Sequence, residues 1–191
     1  ELLDAHAGDH ELRRRIAAME GDVRELNSLV NELLDMSKLD SAHALQAAPV
    51  DLAALLRDCC ATLPPAGSAV ACALEDGLGT VEADARLLAR AVCNLLRNAQ
   101  KYAGSRVVLS ASRTKAQVEI SVDDDGPGIP VEERDKIFEP FYRLDRSRDR
   151  ATGGFGLGLS IARKAVALHG GALRADASPL GGARFVITLP T

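Results

Sequence analysis

The sequence predicts a two-layer α/β sandwich preceded by an α-helical hairpin. Three observations carry that expectation. An a/d seam of apolar residues runs without a break from Leu12 to Leu33. Beyond residue 50, amphipathic helices are separated by short alternating strands. Two glycine-rich turns interrupt this second part, one leaving a strand and one entering a helix.

The chain has 191 residues, 47% of them hydrophobic and 26% charged, which suits one or two globular domains. A net charge of −4 argues against a nucleic-acid binder with a basic face. No apolar run approaches the ~20 residues needed to span a bilayer, and no signal peptide is present. Starting at Glu1, the chain reads as a cytoplasmic piece of something longer. Cys59, Cys60, Cys72 and Cys93 lack metal-ligand spacing and read as ordinary buried thiols in a reducing compartment. Aromatics make up only 3%, all of them from Tyr102 onward and three between Phe138 and Tyr142. The two parts are therefore built differently.

Residues 1–47 form the first part. Glu1 to His6 reads as the end of a helix, Ala7-Gly8-Asp9 as a turn, and Asp9 as the N-cap of the next helix. Along that helix Leu12, Ile16, Met19, Val23, Leu26, Val30 and Leu33 step by alternating fours and threes. Leu29, Leu34 and Met36 widen the stripe beyond a two-stranded coiled coil. A hairpin doubling into a four-helix bundle would bury both sets; the other solution is a helix packed on the following domain. Ser37 to Pro49 reads as hinge.

Residues 48–191 form the second part. Val50 to Leu63 is an amphipathic helix stopped by Pro64-Pro65. Strands follow at Ala69 to Leu74 and near Thr80 to Ala83, and Asp84 caps a helix from about Arg86 to Tyr102. Arg106 to Arg113 and Gln117 to Asp123 alternate around a short polar turn and form a hairpin. Leu157 to His169 is a third helix, and the strands Leu173 to Ala177 and Ala183 to Leu189 meet at the Gly181-Gly182 turn. Three helices thus face a largely antiparallel sheet.

The chemistry lies in the glycines and one helix face. Asp124-Asp125-Gly126-Pro127-Gly128-Ile129-Pro130 leaves a strand through a tight turn, and Gly153-Gly154-Phe155-Gly156-Leu157-Gly158-Leu159 enters a helix whose free N–H groups suit phosphate. The G-x-G-x-G spacing and the absence of Gly-Lys-Ser/Thr exclude Rossmann and P-loop folds. Asn94, Asn98 and Lys101 share a helix face, offering amide oxygens beside a cation, the donor set a magnesium-triphosphate needs.

Taken together, Asn98, Asp124-x-Gly126-x-Gly128, Phe138-Glu-Pro-Phe141-Tyr142-Arg143 and Gly154-x-Gly156-x-Gly158 resemble the N, G1, F and G2 boxes of bacterial sensor histidine kinases, in that order. The hairpin resembles their dimerisation domain. The resemblance implies a Bergerat-type (GHKL) ATP-binding sandwich using ATP and Mg²⁺, with residues 129–155 as the ATP lid. By the same resemblance Asn98 serves Mg²⁺ with Asn94 nearby, Lys101 contacts phosphate, and Tyr102 lines the nucleotide site. Asp124 would accept from the adenine amino group, with Gly126, Gly128 and Ile129 shaping the base pocket. Phe138, Phe141 and Tyr142 would pin the lid's start by burial, and Arg143 would reach the γ-phosphate. Gly154, Gly156, Leu157 and Gly158 complete the phosphate side. Lys101 and Arg143 stand as the catalytic pair.

The resemblance further implies a homodimer, a response-regulator receiver domain as phosphoryl acceptor, and a parent protein anchored in the bacterial inner membrane. No membrane contact is expected of these residues themselves. The chain departs from the family pattern in lacking His-Glu-x-x-Thr-Pro. His10-Glu11-Leu12-Arg13 has the look of that box, but Arg14-Arg15 follow where Thr-Pro would stand, and His10, at the first turn of its helix, is not the expected acceptor. The acceptor helix would precede Glu1, so the chain is expected to bind ATP without labelling itself. Hydrolytic relatives place a Glu where Asn94 stands, so transfer is favoured over hydrolysis. The alternative is a nucleotide-sensing dimerisation module acting mainly as a response-regulator phosphatase.

Overall fold

The computed structural model describes residues 45–64, 67–144 and 155–191, together with individual positions between 15 and 39, all of them helical. His6, His10, Leu12, His43, the turn at residues 7–9, the charged stretch 145–150 and Gly154 lie outside the described residues.

In chain order the elements are β1 (Ala48–Asp51), α1 (Leu52–Ala61), β2 (Ala69–Leu74), β3 (Thr80–Ala83), α2 (Ala85–Tyr102), β4 (Arg106–Arg113) and β5 (Gln117–Asp124). Two 3₁₀ turns, Val131–Glu133 and Lys136–Phe138, precede α3 (Gly158–Leu168), β6 (Ala172–Ala177) and β7 (Ala183–Pro190). The main sheet has the order β2-β4-β5-β7-β6. Only the β2–β4 pairing is parallel. The expected two-layer sandwich is the observed one.

Strand alternation sorts the two faces. Val107, Leu109, Val118, Ile120, Val122, Phe185 and Ile187 point to one side, against Leu88, Val92, Leu95 and Leu96 of α2 and Ala162, Ala165 and Val166 of α3. The other face is polar: Ser110 and Ser121 hydroxyls share a 2.7 Å hydrogen bond, and Arg184 lies 3.9 Å from both Glu119 and Asp123. α1 closes the core through Leu52, Leu55, Leu56 and Cys59.

At the start of the second part the boundaries differ from the sequence reading. Ala48-Pro49, read as hinge, belongs to β1, which pairs antiparallel with β3 from Ala48↔Ala83 to Asp51↔Thr80. The proline within Ala48–Asp51 argues against a strand, and it is tolerated there because the ladder has only two strands, both edges. α1 starts at Leu52, not Val50, because Asp51 is its N-cap, accepting from the Ala54 N–H at 2.9 Å. The thiols also differ: Cys59 is buried as expected, Cys60 and Cys93 are half-buried, and Cys72 is exposed on β2, an edge strand.

The Asp84 cap is as expected, accepting from Arg86 N–H at 3.1 Å and Leu87 N–H at 3.2 Å. Its own N–H donates to His169 Nε2 at 3.0 Å, while His169 Nδ1 donates to the Ala165 carbonyl at 2.7 Å. One imidazole thus joins the end of α3 to the start of α2. His169→Ala leaves the N–H of the buried Asp84 without this acceptor. Unfolding free energy in urea should fall by about 1–3 kcal/mol.

The N-terminal helical stretch uses its apolar residues in two ways. Leu39 is 4% exposed and forms a small core with Leu157 and Ile161, with Leu29, Met36, Leu87, Phe155 and Leu168 around it. Packing on the following domain therefore accounts for the end of the stretch. The described seam residues stay open, from 43% exposure at Leu33 to 66% at Met19. Among the described residues, no helix is long and apolar enough to cross a membrane.

Candidate functional site

The site is built where the C-terminal ends of α2 and β5 meet the β6–β7 turn. β5 ends on three consecutive aspartates with different surroundings. Asp123 lies on the outer sheet face near Arg184. Asp124 points to the helix side and is 2% exposed. Its Oδ1 accepts from Gly126 N–H at 2.9 Å and Ala183 N–H at 3.0 Å, and its carbonyl accepts from Gly182 N–H at 3.1 Å. Neither backbone donor engages Oδ2. Burial pushes the Asp124 carboxyl above the usual carboxylate range, and the two backbone donors only partly offset this.

Asp125 turns the other way. It accepts from the N–H groups of Gly104, Ser105 and Arg106 at 2.9–3.0 Å and from the Ser105 hydroxyl at 2.6 Å. The Ser105 hydroxyl, followed by those backbone donors, holds its carboxyl well below the usual range. This clamp binds the α2–β4 turn to the end of β5, and so fixes Tyr102 beside Gly126. Sequence reading assigned Asp125 no role: an aspartate in a glycine turn reads as turn chemistry, and its partners lie 19–21 residues away.

Two glycines here are set by space. A Cβ on Gly126 would lie 2.4 Å from the Tyr102 carbonyl oxygen, and one on Gly182 would lie 2.2 Å from Asp124 Oδ1. Gly182, read only as a turn residue, is thus part of the carboxylate's wall.

On α2, Asn94 donates its amide to the Gly158 carbonyl at 3.0 Å, tying the helix to the first residue of α3. Arg97 donates to Asn94 Oδ1 at 3.5 Å. Asn98 is half-buried one turn on, and Lys101 Nζ lies 4.9 Å from the centre of the Tyr102 ring, which is exposed at the helix end. Asn94, Asn98 and Lys101 keep the shared face that their spacing gives.

The Phe141–Tyr142 segment meets Gly156. Phe141 N–H donates to the Gly156 carbonyl at 3.0 Å, and a Cβ on Gly156 would lie 2.8 Å from the Tyr142 carbonyl oxygen. Phe138 is buried edge-on against Phe185 at 6.4 Å between centroids, with Arg163 over its ring at 5.4 Å. Tyr142 donates its hydroxyl to Glu133, which also pairs with Lys136 at 3.2 Å. The Tyr142 bond, then Lys136, lowers the Glu133 carboxyl, and the same bond raises the Tyr142 hydroxyl. Phe141 breaks the expected pattern of burial: it is 60% exposed. Its φ of 64° places it in the left-handed region, which turns the chain and swings the ring outward.

Of the remaining expected site residues, Gly128 has φ 74°, which favours glycine, and Ile129 packs on the core. Arg143 is half-buried. The Leu157 side chain is fully buried with Leu39 and Ile161, so only its backbone is available to a ligand.

As to a metal, no group of three or more His, Cys, Asp or Glu among the described residues is disposed to hold one. The hard amide oxygen of Asn98 suits Mg²⁺ that takes most of its ligands from phosphate and water, so the residues fit a metal arriving with a triphosphate.

Residues 83–191 match the family described as "Histidine kinase-, DNA gyrase B-, and HSP90-like ATPase". The sensor histidine kinase CpxA of Escherichia coli (strain K12) is 35% identical over 193 residues, covering 99% of this chain and 42% of CpxA. The sensor protein RstB of the same strain is 39% identical over 178 residues, covering 91% of this chain and 41% of RstB. Full-length ShkA, solved in complex with AMPPNP, superposes with a TM-score of 0.76 at 34% identity, over 86% of this chain and 35% of ShkA. The chain spans less than half the length of these relatives. The family match itself runs from the last residue of β3 to the C-terminus, more than half of this chain, and the chain belongs to the histidine kinase-, DNA gyrase B- and HSP90-like ATPase family.

Proposed function

We propose that this chain is the ATP-binding catalytic part of a sensor histidine kinase, with residues 48–191 as the nucleotide unit and residues 1–47 as dimerisation helix and hinge. The observation that carries the reading is the state of Asp124. Its buried Oδ1 is saturated by two backbone N–H groups, which fixes the carboxylate plane and leaves Oδ2 to take the exocyclic amine of an adenine. Gly126 and Gly182 keep that approach clear.

At the other end of the nucleotide, Lys101 and Arg143 offset phosphate charge, and the α3 N-terminus adds backbone donors. Asn98 would hold Mg²⁺, which when bound neutralises and orients the phosphates. The γ-phosphorus–oxygen bond to ADP breaks as a phosphorus–nitrogen bond forms to a histidine outside these residues, and a receiver-domain aspartate then takes the group. Asn94 supports transfer over hydrolysis, because an amide committed to the Gly158 carbonyl cannot activate water as a carboxylate does. The open seam from Ile16 to Leu33 supports a homodimer.

The test uses γ-labelled ATP and calorimetry on the chain as it stands. Mg-ATP binds, Asn98→Ala weakens that binding, and no acid-labile label appears. Acid-labile label on His10 would overturn the placement of the acceptor, and unaltered affinity in Asn98→Ala would remove the metal assignment.

A further inference from the structure

Asp125 has no part in the proposed chemistry, yet its side chain holds a joint on which both ends of a bound nucleotide would depend. Tyr102 ends α2, Ala103 turns extended, and the N–H groups of Gly104, Ser105 and Arg106 then converge on one oxygen. Successive backbone donors of this kind attract an anion, and Asp125 Oδ1 supplies it, at 2.9, 3.0 and 3.0 Å. Oδ2 takes the Ser105 hydroxyl at 2.6 Å and a second share of the Ser105 N–H at 3.1 Å. The main chain closes the same joint, with the Asp125 N–H donating to the Arg106 carbonyl at 3.3 Å.

Two groups meet across this joint. On one side are Lys101 and Tyr102, the last residues of α2. On the other is Asp124, next to Asp125 in the chain. Gly126 lies between them: its N–H donates to Asp124 Oδ1 at 2.9 Å, and a Cβ there would lie 2.4 Å from the Tyr102 carbonyl oxygen. Asp124 has its own anchorage on the other flank, from the N–H groups of Gly182 and Ala183. Loosening the Asp125 clamp therefore shifts the end of α2 relative to Asp124 and leaves Asp124 held.

We propose that Asp125 is a positioning residue of the nucleotide site: by clamping residues 104–106 it fixes the distance from Lys101 to Asp124, and so matches the phosphate end of the site to its base end. This role rests on the nucleotide reading above and gives Asp125 no contact with the ligand. The clamp needs acceptor geometry more than charge. An asparagine Oδ1 accepts the same three N–H groups, and its NH₂ can donate to the Ser105 hydroxyl oxygen.

Titrations of the full chain with Mg-ATP and with adenosine, followed by amide chemical shifts, test this. In Asp125→Ala, ATP affinity is expected to fall about tenfold or more, as for the loss of one charge-assisted phosphate contact, while adenosine affinity holds. Removing a negative charge would by itself favour ATP, so charge does not explain a loss. Asp125→Asn should restore the parent's ratio of ATP to adenosine affinity. Ser105→Ala, which keeps the backbone donors, should lower that ratio by less than Asp125→Ala. His169→Ala loosens the opposite end of α2 and serves as the control for destabilisation alone, with the ratio unmoved. Amide hydrogen exchange at residues 104–106 reads the clamp without nucleotide: protection should drop in Asp125→Ala and persist in Asp125→Asn. The role is overturned by an unchanged ratio in Asp125→Ala, or in Ser105→Ala where Asp125→Ala does not fold. Equal losses of ATP and adenosine, or an Asn variant as impaired as the Ala one, overturn it too. A parent chain that binds neither ligand overturns the nucleotide reading and this role with it, and the exchange data then still show whether the clamp itself exists.

Discussion

Gly182→Ala should cost about 1–3 kcal/mol of stability and, in the protein that remains folded, most of the nucleotide affinity. The new methyl would sit 2.2 Å from Asp124 Oδ1, 2.4 Å from Gly126 N and 2.5 Å from the Asp124 carbonyl oxygen. None of these is the far end of a flexible chain: two are backbone atoms and the third is held by two backbone N–H groups. Relief requires separating β7 from the end of β5, which breaks the Gly182-to-Asp124 and Ala183-to-Asp124 bonds together. The neighbouring Gly181→Ala is the control. Gly181 has φ 102° and open space around its would-be Cβ, so alanine there is strained without touching the carboxylate. Thermal melts should therefore shift in both variants, while titration with an ATP analogue should separate them. Equal affinity in the two would disconnect Gly182 from the site.

This pair marks where sequence reading stops. The fold was legible because alternation in Arg106–Arg113 and Gln117–Asp124 and the cap at Asp84 are local signals, read within a few residues. The Asn94–Asn98–Lys101 face was legible for the same reason. Gly182, Asp125 and His169 were not, since each acts on a partner far along the chain: Gly182 on Asp124, Asp125 on Gly104 to Arg106, His169 on Asp84. Phe141 failed differently. An aromatic in a cluster of three reads as burial, but a left-handed φ reverses the direction in which its ring points. Leu157 shows the converse, a motif residue whose side chain belongs to the contact with Leu39 and Ile161.

Asp124→Asn should separate recognition from folding. An asparagine Oδ1 can keep both backbone donors, Gly126 N–H and Ala183 N–H, so the wall of the site stays assembled. The second oxygen, however, becomes an NH₂ that presents hydrogens to the adenine amine. A charge-assisted acceptor is lost and a donor faces a donor, for a cost of about 1.5–3 kcal/mol, roughly tenfold to more than a hundredfold in affinity. Stability should move the opposite way. Because burial raises the folded-state pKa of Asp124, the folded protein binds a proton more readily than the unfolded chain there. The stabilisation from that group is full below the unfolded carboxylate pKa and is lost as pH rises through the folded value. Asn carries no such charge, so the variant should equal or exceed the parent in urea denaturation at neutral pH, and the gap should close on acidification. Guanine nucleotides supply the second arm. Their six-position carbonyl offers an acceptor to the new NH₂, so the preference for adenine over guanine should narrow or invert in Asp124→Asn. A variant that binds ATP as tightly as the parent would remove Asp124 from base recognition, whatever its effect on folding.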